Sequence, residues 1–163
     1  MPFANNWGYV PNDNFKSVRS VIHTLVEIVA KGGNFLLGVG PGPDGLIPLD
    51  VVARLEEIGA WMDTNGEAIY GTRAVGHYQD GDVFFTGKGD TLYAIALQPE
   101  EESLREITWT VNLPAQREVR LLGYERPLRV KRNGNSMSVA LPEDLPEALR
   151  NAPALVLAFT TEE

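Results

Sequence analysis

Residues 32–45, GGNFLLGVGPGPDG, limit the fold more than any other stretch. Phe35, Leu36, Leu37 and Val39 follow one another without charge or apolar/polar alternation, with glycines before them and a Gly-Pro-Gly-Pro loop after. Such a run predicts a strand over 34–39 buried on both faces, the kind found in parallel sheets. A parallel strand needs neighbours, yet both flanking segments read as helices. Residues 14–31 set Val18, Val21, Ile22, Leu25, Ile28 and Val29 at helical spacing. The polar PNDN before them reads as a capping segment with Asp13 as its cap, and Gly32 supplies the left-handed stop. After Pro48, residues 49–65 place Val51, Val52, Leu55, Ile58 and Met62 on one side, and Asn65-Gly66 ends the helix. One strand between two amphipathic helices is expected to be the tail of an α/β sheet or barrel whose other strands lie outside these residues.

Beyond Tyr70 the period falls from helical to two. ITWTVNL alternates Ile107, Trp109, Val111 and Leu113 with Thr108, Thr110 and Asn112, as a half-buried antiparallel strand does. DVFFTGKGDTLYAIAL reads as two strands around a Gly-Lys-Gly-Asp turn, and LRVKRNGNSMSVAL as a hairpin on Asn133-Gly134. REVRLLG and ALVLAF complete a set of six or seven strands, while PEDLPEALRNAP reads as a surface connection. The expected fold class is therefore α/β plus all-β. Residues 1–69 form the terminal helix–strand–helix piece of a barrel, and residues 70–163 an antiparallel β-sandwich.

Composition excludes several functions. Fourteen Lys and Arg stand against 22 Asp and Glu, and the resulting net charge of −8 repels nucleic acid and anionic membrane surfaces. The chain has no cysteine, hence no disulfide or thiolate metal site, and this leaves the compartment open. No apolar run approaches the roughly 20 residues of a membrane span, and MPFANNWGYV lacks the basic and apolar regions of a signal peptide. The two histidines, His23 and His77, are too far apart in sequence for a zinc signature, so no metal or cofactor is expected.

Three motifs carry a resemblance. WGY at Trp7 to Tyr9, KGGNFLLGVGPGPDGLIP from Lys31 to Pro48 and IGAWMDTNGEAIYGT from Ile58 to Thr72 resemble the C-terminal motifs of the α-L-fucosidases of glycoside hydrolase family 29. The likeness is close over the first 72 residues and architectural beyond them. It implies that these segments close a (β/α)8-like catalytic barrel ahead of a C-terminal β-sandwich. It also implies a retaining mechanism, with an aspartate nucleophile and a second carboxylate acting as acid and then base. Both carboxylates belong to segments upstream of WGY, so no catalytic residue falls in this chain. Many members carry Asn where this chain has Gly38.

Trp7 matches the family's aromatic position against the apolar side of fucose and is the one substrate-binding candidate. A tryptophan packed in the core or at a barrel rim is the competing reading. Asp44 is the only acid in the strand-exit loop, but Asp-Gly is a turn dipeptide. The GVGPGPDG loop has prolines in place of backbone donors and no following Lys-Ser/Thr, which argues against a phosphate cradle. Glu67 reads as structural. Phe84, Phe85, Tyr93, Trp109 and Tyr124 read as core in preference to a sugar-stacking platform.

The expected function is that of the C-terminal portion of an α-L-fucosidase, inactive alone. Its partners would be fucosylated glycans, met through the complete enzyme, and the missing N-terminal barrel portion. Self-association through the orphan strand is a further expectation. A periplasmic or secreted setting fits such an enzyme. The alternative is a stand-alone carbohydrate-binding or interaction module built on the sandwich.

Overall fold

The structure is a computed structural model describing residues 1–110 and 118–160. The last part of the expected ITWTVNL strand, Val111 to Leu113, lies outside the described residues.

Two helices precede the sheet. Helix α1, Val18–Ala30, is capped by Ser17, whose side chain accepts the Ser20 amide at 3.1 Å, so the sequence-based choice of Asp13 is corrected. A cap must sit immediately before the first turn to reach its free N–H groups, and Asp13 is too far upstream. Gly32, at φ 81°, ends the helix as expected. Helix α2, Leu49–Asn65, follows Pro48 and runs into a single 3-10 turn, Gly66–Ala68.

The antiparallel half is one curled sheet of eight strands: β1 Arg73–Asp80, β2 Val83–Lys88, β3 Thr91–Leu97, β4 Glu106–Trp109, β5 Glu118–Leu121, β6 Leu128–Asn133, β7 Ser136–Ala140 and β8 Ala154–Thr160. Their spatial order is β1-β2-β3-β8-β5-β6-β7-β4. Strand twist accumulates over so many strands, and the sheet folds over its own inner face, enclosing a core as the two layers of a sandwich would. The outermost strands consequently approach each other. Asp80, ending β1, accepts hydrogen bonds from the backbone N–H of Thr110 and, at 2.8 Å, from its hydroxyl, just past β4. Inside, the Trp109 and Phe159 rings meet edge to face at 5.6 Å. Phe84, Phe85, Tyr93 and Trp109 are buried and Tyr124 packs against them, as the core reading expected.

Two expectations about the sheet are corrected. β1 is absent from the sequence-based set because most of its residues are exposed and Gly76 breaks its alternation. PEDLPEALRNAP is more than a surface connection, since it holds a one-turn helix α3, Glu147–Arg150, and buries Leu145 and Leu149.

The helices and the sheet share a core. Ile22, Val26 and Ala30 of α1, Trp61 of α2, and Ala68 and Ile69 join the buried residues of the sheet in one continuous cluster. A smaller cluster of Phe3, Val21 and Val51 lies on the other side of the helices. α1 thus feeds both, Val21 into one and Ile22 into the other.

The expected strand over 34–39 sits on that second cluster, and here the reading changes. It makes one parallel bridge, Gly38 with Pro2, and no ladder. Phe35, Leu37 and Val39 pack on the helices, while Leu36 is 82% exposed and Gly38 is exposed as well. Alternate residues therefore point to opposite sides as in a strand, but only one side is covered by this chain. Residues 1–4 supply the single parallel neighbour, which the sequence reading did not find.

Candidate functional site

The site of interest is the rim at the exit of this segment, where the loop carrying Trp7 lies. Its position follows from a series of local contacts. Phe3 donates its amide to the Gly38 carbonyl at 2.8 Å and Gly38 donates to the Met1 carbonyl at 2.9 Å, which sets the N-terminal segment alongside 36–38. Lys16 then ties down the same segment, its Nζ donating to the carbonyls of Pro2 and Ala4 at 2.9 and 3.0 Å. Phe3 is buried, its ring 6.2 Å from that of Phe15.

Beyond Ala4 the chain loops over the strand exit. Asp13 holds the base of this loop, accepting from the Asn6 backbone N–H at 3.2 Å, the Asn6 side chain at 3.0 Å and the Asn14 N–H at 2.8 Å. The side-chain bond from Asn6 is the main cause keeping the Asp13 carboxyl below the ordinary aspartate range, against a smaller desolvation effect. The far side of the loop rests on Gly40. A Cβ placed there would lie 2.6 Å from the Tyr9 nitrogen and 2.8 Å from the Gly8 carbonyl carbon, so only glycine permits this approach of two backbones.

Trp7 stands at the crest, 89% exposed, with Tyr9 and Val10 partly exposed beside it. The structure does not place it in the core. The crevice below, lined by Phe3, Gly8, Tyr9, Gly38 and Gly40, encloses only about 10 Å³, far too little for a sugar ring. These residues form a rim and present an aromatic face. They do not by themselves form a pocket.

Among the described residues no acid–base pair is brought to Trp7. Asp44 accepts the Leu46 amide at 3.0 Å within its own turn, as the turn reading expected. Glu67 pairs with Arg120 at 3.1 Å on the sheet side. His23 bonds the Pro153 carbonyl at 2.8 Å, and His77 is exposed on β1. Among the described residues no cluster of three or more His, Asp or Glu side chains could hold a metal ion.

Sequence reasoning missed a second polar constellation, the joint between α1 and the β8 end of the sheet. The Arg19 guanidinium donates to the Gln98 carbonyl at 2.7 Å and, more loosely, to the carbonyls of Asn151, Ala152 and Pro153. Gln98 is buried, donating to the carbonyls of Leu149 and Ala152 at 2.9 and 2.8 Å and accepting from the Leu104 amide at 3.1 Å. From α2, the Trp61 indole donates to the Ala154 carbonyl at 3.0 Å. The partners of Arg19 and Trp61 are backbone groups more than 75 positions away, so no residue pattern advertises them.

Comparison with known proteins agrees with this layout. A sequence model of the α-L-fucosidase family matches residues 1–67, and one of the α-L-fucosidase C-terminal domain matches residues 78–160. The chain belongs to the α-L-fucosidase family. It is 34% identical to the plasma α-L-fucosidase of Rattus norvegicus over 131 residues, 76% of this chain and 28% of that protein. To the tissue α-L-fucosidase of Bos taurus it is 32% identical over 161 residues, 95% of this chain and 34% of that protein. Among solved structures, the Thermotoga maritima α-fucosidase in complex with fucose superposes with a TM-score of 0.81 at 32% identity, covering 97% of this chain and 38% of that one. The chain spans about a third of the length of the relatives it matches.

Proposed function

We propose that this chain acts as the C-terminal portion of a retaining α-L-fucosidase. Residues 1–69 close a (β/α)8-like barrel with 34–39 as its last strand, and residues 70–163 form the accessory β domain. Trp7 lies against the apolar side of fucose, and the nucleophile and acid/base carboxylates come from the remainder of the barrel. The observation that carries this reading is the division of 34–39 into a helix-packed side and an exposed side. In such a barrel the exposed Leu36 and Gly38 would lie on the side where the inner layers of side chains stack. The absence of a pocket under Trp7 fits a rim that other strand-exit loops must complete.

The test has two arms. The purified chain is expected not to hydrolyse an aryl α-L-fucoside, because a retaining glycosidase needs two carboxyl groups about 5 Å apart. Turnover that disappears on Asp44→Asn would overturn this arm. In an assembled enzyme carrying the preceding barrel portion, Trp7→Ala is expected to weaken fucose binding by about 1 kcal/mol or more, as loss of an apolar sugar contact would. Unchanged affinity would remove Trp7 from the site.

A further inference from the structure

We propose that the seam of the curled sheet is a second carbohydrate site, taking one or two residues of a neutral sugar. The proposal rests on the glycan-directed reading above but concerns a different surface. Between the β1–β2 turn, the end of β3 and strand β4 lies a cleft of about 550 Å³, within the size range of small-molecule sites. Val83 and Ile107 give it an apolar floor, and Asp82 and Glu106 stand at its exposed edge.

The wall formed by β4 can exchange hydrogen bonds with a ligand. β4 is the last strand in the sheet order, paired on one side only, with β7. The Leu141 amide donates to the Arg105 carbonyl at 2.8 Å, which sets the phase of the ladder. Antiparallel alternation then directs the backbone groups of Ile107 and Trp109 toward β7 and those of Glu106 and Thr108 outward along the free edge. The outward Thr110 N–H is indeed the one taken by Asp80.

Trp109 supplies a second, independent observation. It lines the cleft and is 1% exposed, and its indole N–H is the one buried side-chain polar atom without a hydrogen-bond partner among the described residues. A buried donor without an acceptor is costly, and a hydroxyl oxygen that reaches it from the cleft, as the side chains enclosing the indole give way, would satisfy it. The required ligand therefore accepts from the indole, exchanges bonds with Glu106 and Thr108, carries an apolar face, and has no negative charge beside Asp82 and Glu106. A neutral sugar meets all four conditions. An extended peptide fits less well, since the Asp80–Thr110 bonds span the seam at one end and block a strand from running along the edge.

Nitrogen-15-labelled chain titrated with lactose and with L-fucose tests this through its three tryptophan indole signals. The Trp109 signal, assigned by its loss in Trp109→Phe, is expected to shift saturably in the parent chain and equally in Trp7→Ala, and glucuronate is expected to leave it in place. Trp109→Phe, which keeps a ring but removes the donor, is expected to weaken binding at least tenfold. Thr108→Pro removes an outward N–H without touching the β7 ladder and is expected to weaken it several-fold. A Trp109 signal unmoved at saturating sugar, undiminished affinity in both variants, or a response to tetra-alanine in place of the sugars would overturn the proposal. Movement of Trp7 alone would sink the seam site and leave the rim reading standing, whereas movement of Trp109 alone supports the seam site and leaves the rim reading to its own test in the assembled enzyme, because the rim is not completed in this chain.

Discussion

The two halves of the molecule treat their apolar surface in opposite ways. Of the ten large apolar side chains exposed among the described residues, all but Tyr70 and Tyr78 fall in the first 49 positions, including Trp7, Leu36, Leu46 and Leu49. The sheet half buries its large side chains within its own curl and adds the helix residues Ile22, Val26 and Trp61 to the same cluster. Apolar side chains gathered outside in one half of the molecule are what the proposed packing of that half against the rest of a barrel would require. The helical layer is thus sealed on its sheet side and open on the side of Leu36. The seal rests on the large shared cluster plus the Arg19 and Trp61 bonds to distant carbonyls, whereas the open side is held by the small Phe3, Val21 and Val51 cluster and by the backbone and Lys16 bonds of residues 1–4.

The contrast can be broken most severely at the seal. Trp61→Ala removes a buried ring and its bond to the Ala154 carbonyl, and the expected loss is about 3–5 kcal/mol, read as a lowered urea midpoint with helix and sheet signals falling together. Arg19→Met keeps the aliphatic stem but takes the guanidinium donor from the Gln98 and Asn151 carbonyls, while those of Ala152 and Pro153 keep their bonds from Gln98 and His23, and about 1–3 kcal/mol is expected by the same measurement. Arg19→Lys should not restore it, because one ammonium cannot span carbonyls that the planar fork reaches together.

Changes at the open side should act locally. Gly40→Ala forces the Tyr9 and Gly8 backbone away, and the expected result is faster proteolytic cleavage near Trp7 with little change in the sheet's near-ultraviolet signal. Acid should do the same by another route. The folded-state pKa of Asp13 is depressed by the Asn6 bond, so its contribution is complete above the ordinary aspartate value. It is lost as pH falls through the lower, folded-state value. Trp7 fluorescence in a Trp61→Phe, Trp109→Phe background is expected to change only in that acidic window, and Asp13→Asn should remove the transition. The smallest effect is expected from Gly38→Asn. The nearest atom to an added Cβ is the Met1 carbonyl oxygen at 3.9 Å, so the asparagine common in the family should change stability by no more than about 0.5 kcal/mol.

Much of this division was legible in the sequence. The helical periods read over 14–31 and 49–65, the two-residue period of Ile107 and Trp109, and the Asn133-Gly134 hairpin each depend on neighbours close along the chain, and each appears, the first helix shortened to Val18–Ala30. What was not legible depends on distant backbone. Ser17 caps α1 where a more conspicuous acid stood upstream. The parallel neighbour of 34–39 is a four-residue terminal segment with no strand signature. Arg19 and Trp61 bind carbonyls, which have no sequence identity to recognise. Trp7 was legible as a candidate, but its exposure was not, because an aromatic residue in a Gly-containing loop reads equally as core or rim.

The sequence alone suggests a sheet able to fold by itself with a helical segment attached, whereas the shared core predicts that helices and sheet unfold as one cooperative unit. Native-state hydrogen exchange across a range of denaturant separates the two most directly. The account requires the amides of Ile22 and Val26 in α1 and of Leu155 and Leu157 in β8 to merge into one opening reaction with the same free energy and denaturant dependence. Exchange of the α1 amides through a lower-energy opening while the β8 amides stay protected would mean that the sheet stands alone, and the seal described at Arg19 and Trp61 would be a contact of convenience and not part of one fold.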